Sequence, residues 1–228
     1  MQKSTLARMT FRGWPKDALE FYVGLEADNS KTYWQAHKSV YDESVKAPFL
    51  ALSDEIAKEF GPLHVFRPHR DIRFAKDKSP YKTSAAAVTE SEGGAAYYVQ
   101  ISSEGLYVGS GYYHLLPDQL ERFRAAVDDA RSGPKLASAI AALRKQRYDV
   151  DSRESLQRAP RGYPVDHPRV ELLRMKGIHV GRSFGAPAWL HSAKSLGKIT
   201  TAWRDAKPVN RWLDQHVGPS TAAPPEPD

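Results

Sequence analysis

Residues 85–110 read AAAVTESEGGAAYYVQISSEGLYVGS, and the fold class turns on how this stretch is read. Ala85 to Thr89, Tyr97 to Ser102 and Leu106 to Ser110 are short runs bounded by turn residues. The second and third are rich in aromatic and β-branched side chains, which suit a pleated surface. Gly93-Gly94 breaks the chain after the first run, and Ser103-Glu104-Gly105 joins the other two as a hairpin. The stretch therefore predicts a small antiparallel sheet in the middle of the chain.

Upstream, the apolar period becomes that of a helix. Pro15 suits a first turn, and Ala18, Leu19, Phe21, Tyr22 and Leu25 form one stripe, which predicts a helix from about Pro15 to Leu25. Asp28, Asn29 and Ser30 are N-cap residues for a second helix carrying Tyr33, Trp34, His37 and Tyr41. Phe49, Leu52, Ile56 and Phe60 mark a third, stopped by Gly61. Val65-Phe66, and then Ile72 and Phe74, predict short extended pieces before the sheet.

Downstream, Leu120, Phe123, Val127 and Ala130 follow Pro117 at helical spacing, and Leu136, Ile140 and Leu143 mark another helix. A short helix is expected over Val170 to Met175 and a strand over Ile178 to Phe184. Ser192 to Val217 reads as two helices, because Pro208 cannot donate an interior helix hydrogen bond. The class is α+β, with the sheet flanked by N- and C-terminal helices. Residues 1–10 are expected to be an extension, 11–217 a single α+β domain, and 218–228 a disordered Pro-rich tail.

Composition removes several function classes. With 41% hydrophobic residues and 11% aromatics the chain can fill a core, so it is not a disordered polyelectrolyte. It has no apolar run long enough for a membrane span and no secretory signal near Met1. Zero cysteines exclude disulfides, thiolate metal sites and thiol nucleophiles. A cytoplasmic protein is expected, with no cofactor. Metal ligation has no motif behind it, since the eight histidines are dispersed and H-E-x-x-H is absent.

Charge is concentrated. From Arg67 to Lys82 the chain reads RPHRDIRFAKDKSPYK, with Arg67, Arg70, Arg73, Lys76, Lys78 and Lys82 against Asp71 and Asp77, a local net of +4 within a total of +6. A localised anion site fits that distribution better than a general basic coat. Asp71 can orient Arg73 as a charge-assisted partner and hold a guanidinium fork ready for phosphate or carboxylate. The competing structural reading is an exposed edge whose cations pair loosely with acids and discourage aggregation.

The chain also resembles a known family at this point. FRGWPKDALEFYVGLEADNSKTYWQAHKSVYD, followed by RPHRDIRFAKDKSPYKT, is similar to the bacterial conserved-hypothetical family known as domain of unknown function family 2461. Its R-x-x-R-D-x-R-F segment and the basic stretch after it correspond to Arg67, Arg70, Asp71, Arg73, Phe74, Asp77, Lys78 and Tyr81. The resemblance runs from about Phe11 to His216 and implies the fold extent and a site location, but no reaction.

Two further groups are candidates. Trp34, His37 and Tyr41 share a helix face that is either core or a ligand wall. Arg161, Tyr163 and His167 sit in the proline-rich loop RAPRGYPVDHP, which reads as turn chemistry or as a second source of a cation, a ring and a proton carrier. Gly109-Ser110-Gly111 lacks the spacing of a nucleotide loop.

Three functions remain open. The first is a pocket for a phosphate-bearing anion built on Arg70, Arg73, Lys76, Lys78 and Lys82, with His37 or His167 as general acid or base if phosphoryl transfer or hydrolysis occurs. The second is a nucleic-acid-binding module that adds Phe74, Tyr81, Tyr97, Tyr98, Tyr112 and Tyr113 as stacking rings. The third is a protein-interaction domain in which the basic strip docks an acidic partner.

Overall fold

The computed structural model describes residues 10–71, 73, 76–89 and 94–221. Most of the expected N-terminal extension, the expected Ile72 and Phe74 extended piece, Gly93 and residues 222–228 lie outside the described residues.

The N-terminal quarter is helical, as its periodicity requires. Helix α1 (Lys16–Ala27) buries Ala18, Phe21, Tyr22 and Leu25, and α2 (Lys31–Ala36) buries Trp34. Of the three expected cap residues, Ser30 performs the capping: its Oγ accepts from Tyr33 N–H at 3.1 Å. The chain then continues through α3 (Lys38–Val40) and a π-helical segment, Tyr41–Lys46, into α4 (Ala47–Phe60), which ends at Gly61 with φ +86°.

Six strands form one antiparallel sheet in the order β1-β2-β3-β4-β6-β5. They are β1 (Leu63–Val65), β2 (Ser84–Thr89), β3 (Ala96–Ser102), β4 (Gly105–Tyr112), β5 (Asp149–Asp151) and β6 (Ile178–Gly185). The three runs that predicted the sheet are β2, β3 and β4, and Ile178 to Phe184 is the body of β6. Only β5 had no signal, since a three-residue edge strand reading Asp-Val-Asp shows no alternation beyond the single buried Val150. Gly111, φ +133°, lies within β4, where an added Cβ would stand 2.4 Å from Ile178 O. The Gly109-Ser110-Gly111 stretch is therefore strand interior and not an anion loop.

Helices α5 (Pro117–Asp128), α6 (Ser132–Lys145) and α7 (Val170–Arg174) match the expected periodicity. The C-terminal region does not divide in two. Helix α8 (Lys194–His216) runs unbroken through Pro208, which is exposed. An interior proline costs about 3 kcal/mol. Here it is offset by the buried face that Ile199, Trp203, Ala206, Val209, Trp212 and Leu213 hold on both sides of it.

The chain forms two compact units: Met1–Glu90 with Tyr98–Val108 and Ser183–Thr201, and Ser91–Tyr97 with Gly109–Arg182 and Ala202–Asp228. In the first, Trp14 is fully buried with Phe11 and Phe49 edge-on to it at 5.1 and 5.0 Å. Gly13 and Trp14 pack against the 188–192 turn, with Trp14 N–H donating to Leu190 O at 3.1 Å. In the second, Phe123, Val127, Leu136, Ile140, Leu143 and Leu213 form the interior. The first residues of the expected tail are held there. Gln119 Nε2 donates to Gly218 O at 2.9 Å, and Asp118 Oδ2 accepts from Thr221 N–H at 2.8 Å. No helix of the described residues is long and apolar enough to cross a membrane.

Candidate functional site

The basic segment leaves β1 and returns to β2 as a paired excursion. Phe66 N–H donates to Ala86 O at 2.9 Å, Lys82 N–H to Pro68 O at 2.8 Å and Arg70 N–H to Pro80 O at 2.9 Å, with an antiparallel bridge between His69 and Tyr81. At its base, Tyr81 is buried to 5% exposure and stacks on Trp34 with centroids 4.4 Å apart and planes 8° apart. The Asn29 side chain meets both polar atoms of the Tyr81 peptide, accepting from its N–H at 3.0 Å and donating to its carbonyl at 3.1 Å. Asn29 therefore serves the excursion rather than a helix cap.

Beyond that base the acids neutralise their neighbours in solvent. Asp71 takes the Arg73 guanidinium in a two-pronged pair at 3.1 and 2.8 Å and also accepts from Arg73 N–H at 3.2 Å. These bonds to Arg73 hold its carboxyl down at about 2. Arg73 is nonetheless 74% exposed and Asp71 47% exposed, so the oriented guanidinium is not part of a desolvated pocket. Asp77 accepts from Ser79 N–H at 2.9 Å and pairs with Arg70, with Ser79 the larger cause of its lowered pKa. Lys76 and Lys78 are exposed here.

The cleft lies on the other side of the base, within the first unit. Its volume is ≈660 Å3. One wall is a row four residues apart, Trp34, Lys38, Asp42 and Lys46, with Tyr41 beside it. The π-helical segment carries the last step of this row, from Asp42 to Lys46. Ala47 N–H bonds to Asp42 O five residues back, and the wider turn brings every fourth residue closer to a full rotation than an α-helix does. The opposite wall is His64 and Val65 of β1, then Phe66, Arg67, Pro68 and His69, with Lys82 on the returning arm. Lys82 Nζ sits 5.6 Å from the Phe66 centroid.

Among the described residues, four cations thus border the cleft against one acid, Asp42, which already pairs with Lys38. Among the described residues, no salt bridge joins Lys46, Arg67 or Lys82 to a carboxylate. Burial, with Asp42 adding to it, pushes the Tyr41 hydroxyl up to about 12, so it stays a protonated donor at neutral pH.

Of the residues expected from the sequence, Arg67 and Lys82 line the cleft, Tyr81 supports it from behind, and Arg70, Asp71, Arg73, Lys76, Asp77 and Lys78 are not among its lining residues. Trp34 and Tyr41 line it, but His37 does not. His37 stacks on Tyr33 at 4.0 Å, with Nδ1 against Tyr33 O at 2.9 Å. Sequence reasoning missed Lys38, Asp42, Lys46, His64 and His69. The four-residue row beginning at Trp34 was the available signal.

Arg161, Tyr163 and His167 belong to the second unit. His167 Nδ1 accepts from Arg169 N–H at 3.0 Å, so Nε2 carries the proton toward Asp128 at 3.2 Å. Arg169 donates from Nε to Val127 O at 2.7 Å and from Nη2 to Asp128 O at 2.9 Å. This loop satisfies carbonyls at the C-terminus of α5. Tyr163 is half-buried, with its hydroxyl pKa raised chiefly by burial, and Arg161 is exposed. Among the described residues no group of three or more His, Asp or Glu side chains is placed to hold a metal ion.

Residues 17–212 match the family described as Conserved hypothetical protein (DUF2461). The chain belongs to this family. The DUF2461 match takes in both walls of the cleft and both compact units up to residue 212. No curated protein matches the chain.

Proposed function

We propose that this DUF2461 protein binds a phosphate-bearing anion in the cleft between the Tyr41–Lys46 π-helical segment and the Phe66–His69 strip. The observation that carries the reading is the enclosure of Lys46, Arg67 and Lys82, unneutralised by any salt bridge among the described residues, around one concave surface. Like charges held together repel, and an anion with several oxygens relieves that repulsion. Arg67 supplies a fork matched to phosphate oxygens, the lysines supply rotatable donors, and Tyr41 a neutral one. His64 and His69 replace His37 and His167 as the imidazoles bordering the ligand, and any proton transfer in a hydrolytic or phosphoryl-transfer reaction runs through them. A cytoplasmic setting is consistent with a chain of zero cysteines.

The nucleic-acid reading has less behind it. Tyr81 and Tyr112 are buried, which removes two of its stacking rings from the surface.

Thermal shift with pyrophosphate tests the proposal through linkage. Wild type and an Arg73→Ala, Lys76→Ala variant should be stabilised alike, and an Arg67→Ala, Lys82→Ala variant should lose most of the response. An unchanged response in the Arg67, Lys82 variant, or loss of it in the Arg73, Lys76 variant, places the anion elsewhere and rejects the cleft.

A further inference from the structure

The second unit has a groove of its own, ≈840 Å3 in volume, bordered by the C-terminal half of α5, the start of α6 and the part of α8 beyond Pro208. It shares no lining residue with the first unit's cleft. Ala125, Ala126 and Ala139 are small and leave it open. Trp212 is buried beneath it, its Nε1 donating to Ser132 O at 2.9 Å and His216 packed on it at 4.8 Å.

Its charge is one-sided. Arg131 and Lys135 stand one helical turn apart at the start of α6, and Arg211 stands on α8; all three are exposed. None forms a salt bridge among the described residues. Among the described residues lining the groove the one carboxylate is Asp129, which stays ionised and is turned by its Oδ1 toward the start of α6. Its Oδ1 accepts from Arg131 N–H at 2.9 Å, Ser132 N–H at 2.8 Å and Ser132 Oγ at 2.9 Å. Arg122 is also occupied, donating to Val217 O at 2.6 Å, Pro219 O at 2.8 Å and Asp118 at 3.1 Å. Among the described residues, three cations on two walls therefore border the groove outside any salt bridge, with Arg131 near enough to Asp129 to help lower its pKa.

We propose that this groove binds a linear oligophosphate, a run of three or more consecutive phosphate groups either free or carried by a nucleotide. Cations distributed over two helices require an anion with several charged groups. Arg131 and Arg211 offer guanidinium forks, which match phosphate oxygens in pairs. Of the rings lining the groove, Trp212 is buried and His216 is packed on it, so the recognition falls on phosphate and not on a stacked base.

Isothermal titration of the full chain with sodium tripolyphosphate tests this. Among the described residues Arg131 and Arg211 make no side-chain hydrogen bond or salt bridge, so an Arg131→Ala, Arg211→Ala variant should melt with wild type and bind tripolyphosphate at least about tenfold more weakly at this site. An Arg67→Ala, Lys82→Ala variant should retain it. Competition by ATP assigns a nucleotide source, and its absence assigns the free oligophosphate. Unchanged affinity in the Arg131, Arg211 variant, or equally tight binding of an oligoglutamate peptide to wild type, overturns the proposal.

Discussion

The Asn29 side chain is hydrogen-bonded to both the N–H and the carbonyl of Tyr81, 52 residues later in the chain. A single amide side chain thus takes the place of a neighbouring strand where the basic excursion returns toward β2. Because Tyr81 also lies flat on Trp34, this contact fixes one end of the cleft's second wall to the helix that carries its first.

Removing that amide should loosen the excursion without disturbing the helices. Asn29→Ala leaves a part-buried peptide N–H and carbonyl without their partner, and we expect a loss of about 1–3 kcal/mol in denaturant unfolding. Pyrophosphate stabilisation should fall with it, since Lys82 is the next residue. A variant as stable as wild type would show that solvent replaces both bonds.

Gly13 and Gly162 form a controlled pair. Both have positive φ, +86° and +92°, but an added Cβ at Gly13 would stand 2.4 Å from Leu190 O, whereas nothing lies within 4 Å at Gly162. Gly162→Ala should cost about 1–2 kcal/mol, from backbone strain alone. Gly13→Ala should cost more than about 3 kcal/mol, because the 188–192 turn must also move. Equal melting temperatures for the two variants would contradict the close packing of Gly13.

Pro208 sits in an otherwise continuous helix at an exposed position. Pro208→Ala restores a helix hydrogen bond and removes the ring's clash with the preceding turn, offset in part by a freer unfolded chain. Net stabilisation of about 1–2 kcal/mol is expected, read as a raised unfolding midpoint. A destabilised variant would mean that the packing of α8 depends on the proline.

The Asp71–Arg73 pair sets a pH signature. The folded carboxyl lies at about 2, below its ordinary value, so its contribution to stability is present above that ordinary value and is lost as pH falls toward about 2. Both groups are exposed, and screening keeps the contribution small. Asp71→Asn should therefore shift the neutral-pH melting temperature by less than about 2 °C. Carboxyl NMR should show Asp71 titrating well below the ordinary aspartate value. Titration near 4 would show that the pair does not persist in solution.

The fold class and most of its elements were legible in the order of side chains along the chain, because helix and strand periods are local properties of that order. Phe21, Tyr22 and Leu25 mark the buried face of α1, and Val99, Ile101, Leu106 and Val108 that of the β3–β4 hairpin, before any partner is known. The sequence also located the charge. It did not determine which charges meet across space. Arg70 and Arg73 find acids within their own segment, and only Arg67 and Lys82 reach the cleft, where they join Lys38 and Lys46 from far upstream. Three decisions belonged to the tertiary structure. It brought Lys38 and Lys46 to one cleft with Arg67 and Lys82, buried contacts carried α8 through Pro208, and Asn29 left its expected capping role for Tyr81. Each depends on packing energy between residues distant in sequence, which exceeds the local preference that a reading of neighbours can register.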